Sequence, residues 1–196
     1  MSANRPRPPA LPLPPLPVLA HADVRLEPLA PSHADALRRA AAEDEAIWQV
    51  YSYSLLGEGF DLWWPGALDH RRGWQYFAVL QQGRLLGCSG IWPDPQTPGV
   101  VELGGTYLRP DARGTGVNGV AKWLMLGFLF KAGFHRVEFR VDDRNTRSQA
   151  AVLKLGAKRE GVLRHHKITH TGHIRDTHVF AILDTDWPAI EPVLRP

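Results

Sequence analysis

Residues 117 to 131, VNGVAKWLMLGFLFK, are apolar almost all round. A helix of that kind has no polar face for water, so other elements must bury it. Gly133 marks its end. Directly before it stands RPDARGTGVNG, Arg109 to Gly119. A glycine-rich turn entering a helix lets successive backbone N–H groups point at one anion, and the helix adds its positive end. Arg113 can add a charged hydrogen bond. Any pyrophosphate would suit such a turn. The plain alternative is a helix entry that holds no ligand.

Burying that helix takes a sizeable core. The chain has 196 residues, 44% of them hydrophobic, which suits one globular domain. A net charge of +3, with basic and acidic residues interleaved, favours an anionic ligand without indicating nucleic acid. Cys88 is the one cysteine, so no internal disulfide forms and a reducing, cytoplasmic setting is expected. No apolar run is long enough to cross a bilayer, and no membrane partner is expected. Seven prolines within the first 17 residues forbid the helical apolar region of a signal peptide. Residues 1 to 20 therefore read as a proline-rich disordered tail.

The rest reads in order. DVRLEPL (Asp23 to Leu29) alternates as a strand, and Ser32 offers an N-cap for a helix through about Asp44. Residues 46 to 74, with four of the seven tryptophans, suggest short helices or loops. Two strands flank Gln82-Gly83 in a hairpin, and VVELGGTYL (Val100 to Leu108) is another strand. Its paired glycines, Gly104 and Gly105, suggest a bulge or a close backbone approach. After the buried helix, HRVEFRV is a strand, Asn145 caps a helix that stops at Gly156, and the last two strands form a hairpin. This is a mixed α/β sheet with helices on it, not a regular alternation.

Gly114, Gly116 and Gly119 fit G-x-G-x-x-G, the dinucleotide fingerprint, which keeps a nicotinamide-dependent oxidoreductase open. The glycines should then follow their strand directly, but Arg109 to Arg113 intervene, and the preceding strands look antiparallel.

ELGGTYLRPDARGTGVNGVAKWLML, RNTRS, LGAKREGVLR and GHIRD occur in that order. As a set they resemble the GCN5-related N-acetyltransferases (GNAT), and most closely their RimJ/RimL-like ribosomal-protein acetyltransferases. The resemblance covers about residues 22 to 190 and implies a single N-acetyltransferase domain over residues 21–196. The implied fold is a mixed, mostly antiparallel sheet of about seven strands, with flanking helices and two central strands splayed around acetyl-CoA. Carried over, the pyrophosphate would sit on Arg113, Gly114, Thr115, Gly116, Val117 and Asn118. Tyr107 and Leu108 would pair with the pantetheine arm, the Leu108 N–H facing the thioester oxygen. Where relatives often have Gln or Arg three residues before Gly114, this chain has Asp111.

The implied reaction moves an acetyl group from acetyl-CoA, a cosubstrate, to an amine: a protein N-terminus or a small molecule. Many relatives use a tyrosine seven residues after Asn145; here that residue is Val152, and no tyrosine follows Tyr107. Ser148, in the first turn of its helix, is the candidate donor to the thiolate; equally, it satisfies a backbone N–H there. Asn145 is a helix cap that can also contact the cofactor. Glu102 is the candidate carboxylate for the amine proton, or a solvated strand residue. Asp176 has similar status: an acceptor-side carboxylate, or a partner for Arg175 or Arg164. His165, His166, His170, His173 and His178 crowd the final hairpin without a zinc-like spacing, so no metal is expected. Trp48, Trp63, Trp64 and Trp74 line an acceptor pocket or belong to the core. A homodimer and a non-catalytic acyl-CoA-binding module both stay open.

Overall fold

The computed structural model describes residues 12–69 and 73–196. Its strands are β1 (Leu19–His21), β2 (Val24–Pro28), β3 (Gln75–Gln81), β4 (Arg84–Pro93), β5 (Val100–Leu108), β6 (Arg136–Asp142), β7 (Lys158–Ile168) and β8 (Ile174–Leu183). They form one sheet in the order β1-β2-β3-β4-β5-β6-β8-β7. Every neighbouring pair is antiparallel except β5–β6. The sheet has eight strands rather than about seven, because the expected tail supplies β1.

Residues 1–11 of that tail lie outside the described residues. Residues 12–20 do not form a free tail. Leu13, Leu16 and Leu19 pack on the main core, and Leu19–His21 pairs with β2. Prolines between leucines spaced by three favour a polyproline turn, which brings those leucines to one side.

The helices are α1 (Ala34–Ala41), α2 (Glu58–Leu68), α3 (Val117–Lys131), α4 (Thr146–Lys154) and α5 (Trp187–Leu194). On one face of the sheet, Ala121, Met125, Leu126 and Leu129 of α3 and Val152 of α4 join the main core. On the other, Leu37, Ala40, Phe60 and Ala67 of α1 and α2 close a second core with Trp48 and Tyr107. Ser32 does not cap α1. It sits in a short 3-10 turn, Pro31–His33, and His33 Nδ1 takes the Ala30 N–H at 3.0 Å. Proline at the start of that turn fixes a tight entry, and α1 begins one residue late and ends at Ala41 rather than near Asp44.

The glycine pair in β5 does make a bulge. Cys88 faces Tyr107 and Gly90 faces Gly104, so β5 carries one residue more than β4 there. Gly105 takes φ +56, and a Cβ on it would lie 2.9 Å from the Tyr76 ring. Both the backbone and the space demand glycine. The bulge bends β5 just where its other neighbour, β6, leaves it.

Candidate active site

β5 and β6 pair only at Val100–Arg136, Val101–Val137 and Glu102–Glu138. Beyond them β5 stays with β4 and β6 stays with β8. The two central strands part, and a cavity of about 360 Å³ opens between them. Thr106 and Leu108 line it from β5, Arg140 from β6, Ser148 from α4 and Asn145 just before it, and Lys122 from α3.

The edge that β5 shows to this gap follows from its ladder. Arg109 N–H donates to the Leu86 carbonyl at 2.8 Å. Peptide groups alternate sides in an antiparallel pair, so the Leu108 amide turns away from β4 and toward the gap. The Leu108 carbonyl accepts from Arg113 Nε at 2.8 Å, and the Thr106 carbonyl accepts the Tyr51 hydroxyl. Tyr107, between them, is different. It pairs with Cys88, its ring stacks on Trp48, its hydroxyl donates to the Ala40 carbonyl, and it is 1% exposed. Tyr107 does not line the cavity; Thr106, which the sequence did not single out, does.

At one end of the gap lies the glycine turn. Gly114 and Gly116 have φ +79 and +95, and nothing approaches either position within 4 Å. Gly116 is the N-cap of α3, and no side chain caps those first amides. Thr115 Oγ1 is occupied by the Ala112 carbonyl at 2.8 Å, and Val117 is in the core. Arg113 is partly spent inside the protein: one nitrogen pairs with Asp44, whose carboxyl it holds below the usual range, and another holds the Leu108 carbonyl. Its Nη2 is buried with no partner, as is Asn118 Oδ1. A diphosphate suits the first of these atoms together with the helix-start amides. An amide N–H of an extended arm suits the second. The residues therefore fit a coenzyme A-like molecule. Asp111 faces away and pairs with Arg84 at 2.7 Å.

On the opposite wall, Asn145 Oδ1 accepts the Ser148 N–H at 3.0 Å, which makes Asn145 the cap of α4 and fixes where Ser148 stands. Both line the cavity, with Val152 beyond them. At the far end, Glu102 is 9% exposed, with Arg140 Nε 3.6 Å away. Burial pushes its carboxyl above the usual value, against the pull of Arg140. Trp74, Tyr53 and Arg175 complete that end. Of the four tryptophans considered, Trp74 alone lines the cavity; Trp48, Trp63 and Trp64 belong to the second core.

Lys122 is the residue the sequence reading missed. It is 5% exposed, and its Nζ donates to Ser89 Oγ at 2.7 Å and to Thr106 Oγ1 at 2.6 Å. Burial pushes its ammonium down to about 7. A single lysine inside an otherwise apolar helix was the available signal.

The final hairpin uses its polar residues structurally. His170 Nε2 bonds the Trp48 carbonyl at 2.8 Å, His178 Nε2 meets Asp143 at 2.6 Å, and His166 Nδ1 meets Thr177 at 3.1 Å. Asp176 accepts the His165 N–H at 2.7 Å. Among the described residues, no three His, Cys, Asp or Glu side chains group as metal ligands. No helix among them is long and apolar enough to cross a membrane. The sheet has one parallel pair, not the doubly wound parallel sheet that a nicotinamide-dependent oxidoreductase of this fingerprint needs, and that alternative falls.

A family profile described as an acetyltransferase (GNAT) domain matches residues 23–158. Comparison with curated proteins finds no match. Among solved structures, a GCN5-related N-acetyltransferase from Brucella melitensis is 28% identical, with a TM-score of 0.86 over 94% of this chain and 86% of that one. A structure from T. thermophilus is 33% identical, with a TM-score of 0.81 over 92% of this chain and 96% of that one. Mycobacterium smegmatis RimJ, solved with CoA-disulfide, shares the fold at 21% identity and a TM-score of 0.74, covering 87% of each chain.

Proposed function

We propose that this chain, which belongs to the acetyltransferase (GNAT) family, moves an acetyl group from acetyl-CoA to a primary amine by direct attack in a ternary complex. The parting of β5 from β6 beyond Glu102 carries this reading. It leaves a slot with an uncapped helix start at one end, a strand edge along its side and a buried carboxylate at the other.

The residues divide the work. The α3 amides and Arg113 Nη2 would take the pyrophosphate, and Asn145 would add a contact from α4. The edge of β5 would hold the pantetheine arm, with the Leu108 N–H donating to the thioester oxygen as charge builds there. Glu102 would receive the amine's proton. An elevated carboxyl pKa brings such a base nearer to working pH. Ser148 would donate to the departing thiolate. An α-amino group, with a pKa of about 7.7–8.0, is already partly neutral near pH 8, so an N-terminus asks less of the base than a lysine does.

A RimJ/RimL-like role on protein N-termini, in the cytoplasm, is the finer form of this proposal. It is tested by measuring thiol release from acetyl-CoA across N-terminal peptides and small amines. The expected result is release with a subset of them. Ser148→Ala should slow turnover by about 10-fold or more, the scale of one lost hydrogen bond to a charged sulfur, and leave cofactor affinity nearly intact. Unchanged turnover in Ser148→Ala removes that residue from the chemistry. Binding of acetyl-CoA with no thiol released by any amine would favour a non-catalytic acyl-CoA-binding module.

A further inference from the structure

We infer that the Lys122 ammonium is the counter-ion and proton donor for the sulfur that leaves as the acyl group is transferred, a step that rests on the acetyl-CoA reading above. Lys122 projects from α3 into the wall of the same cavity as Leu108 and Ser148. An ammonium has three donors. Ser89 and Thr106 take two, and these hydroxyls also bond each other at 2.9 Å, so the amine is held in a rigid polar triangle at the β5 bulge.

What this triangle lacks is an anion. Among the described residues, no carboxylate lies within 4.0 Å of Lys122 Nζ, whereas the buried Arg175 has Asp142 and the half-buried Arg113 has Asp44. Isolated buried charge is costly. The transfer reaction makes its own anion, a thiolate, inside this cavity. The other charged and titratable groups that line the cavity or neighbour Lys122 do not substitute for it. From β4, Cys88 is pushed up to about 12 by burial and stays a neutral thiol. From β5, Glu102 faces Arg140 of β6. Arg113, Arg147 of α4, Lys167 of β7 and Arg175 of β8 are cations. Lys122, pushed down to about 7 by burial, is poised to lose its proton near working pH.

The step balances. The amine nitrogen bonds to the carbonyl carbon, the carbon–sulfur bond breaks, and its electron pair stays on sulfur. The Nζ proton passes to sulfur, the surplus amine proton passes to Glu102 or water, and water reprotonates Lys122 as products leave. Ser148, from the opposite wall, can hydrogen-bond the sulfur but cannot neutralise it.

The test is the thiol pKa of bound CoA, read by thiolate ultraviolet absorbance, with desulfo-CoA complexes as the reference that cancels Cys88. In the wild-type protein the bound thiol should titrate about one to three units below free CoA, as for a group beside an opposite charge. In Lys122→Met the shift should vanish while desulfo-CoA binds equally well, and kcat should fall by about 100-fold with little change in KM for acetyl-CoA. A wild-type bound thiol that titrates like free CoA overturns the inference, whether or not the variant folds. An identical shift in both proteins overturns it too. Failure of CoA to bind the wild-type protein overturns the acetyl-CoA reading itself, and Lys122's role with it.

Discussion

Lys122→Met should change how stability depends on pH in the ligand-free protein. Burial lowers the ammonium from 10.5 to about 7. At about 1.4 kcal/mol per pH unit, that drop costs the folded state up to about 5 kcal/mol at pH values well below 7. Between pH 7 and 10.5 the unfolded chain holds a proton that the folded chain has shed, so stability rises with pH across that window. Integrated from pH 7 to 9, the gain is about 2 kcal/mol, or roughly 4–8 °C in Tm for a chain of this size. Methionine has no charge to desolvate, and Ser89 and Thr106 keep each other's hydrogen bond. The variant should therefore melt above wild type at pH 7 and lose this part of the slope. Urea or thermal unfolding of both proteins at pH 7, 8 and 9 gives the difference directly. Other titrating groups are common to both proteins, and Cys88, at about 12, lies outside the window. Parallel stability curves would show that Lys122 stays charged and compensated in the folded state, and would refute its loss of a proton on folding.

Two further expectations are independent of it. Gly105→Ala places a Cβ 2.9 Å from the buried Tyr76 ring at φ +56, so it should lower stability by about 2 kcal/mol and weaken CoA binding; an unchanged Tm would mean the bulge does not need glycine. Glu102 works as a base only when ionised, and its carboxyl is raised, so turnover should climb with pH through a limb above the ordinary carboxylate value of 4.5. Glu102→Gln should erase that limb and slow the reaction by about 100-fold, and an unaltered pH profile would leave Glu102 as a partner for Arg140 only.

What was legible in the sequence was what local chemistry dictates. Asn145 reads as a cap and is one, because an amide placed just before an amphipathic turn has few better uses. Gly104-Gly105 reads as a bulge and is one. The glycine turn before an almost wholly apolar helix reads as an anion site and ends at an uncapped helix start. Long-range partners were not legible. Nothing near Arg113 announces that Asp44, from a distant segment, takes part of its guanidinium, nor that Tyr107 turns its ring to Trp48 while Thr106 faces the gap. Strand parity decides the second case, and a bulge resets parity. Leu13 and Leu16 were masked by the prolines around them, which read as disorder until a core is present to receive the leucines.

The central claim is that the gap between β5 and β6, entered over the α3 amides, receives acetyl-CoA. Isothermal titration of the purified protein with acetyl-CoA, CoA and 3′-dephospho-CoA tests it most directly. Saturable heat at one site per chain for the first two, abolished when Gly116→Val obstructs the helix start, is the predicted result. No heat with either, or binding that Gly116→Val leaves untouched, would contradict it.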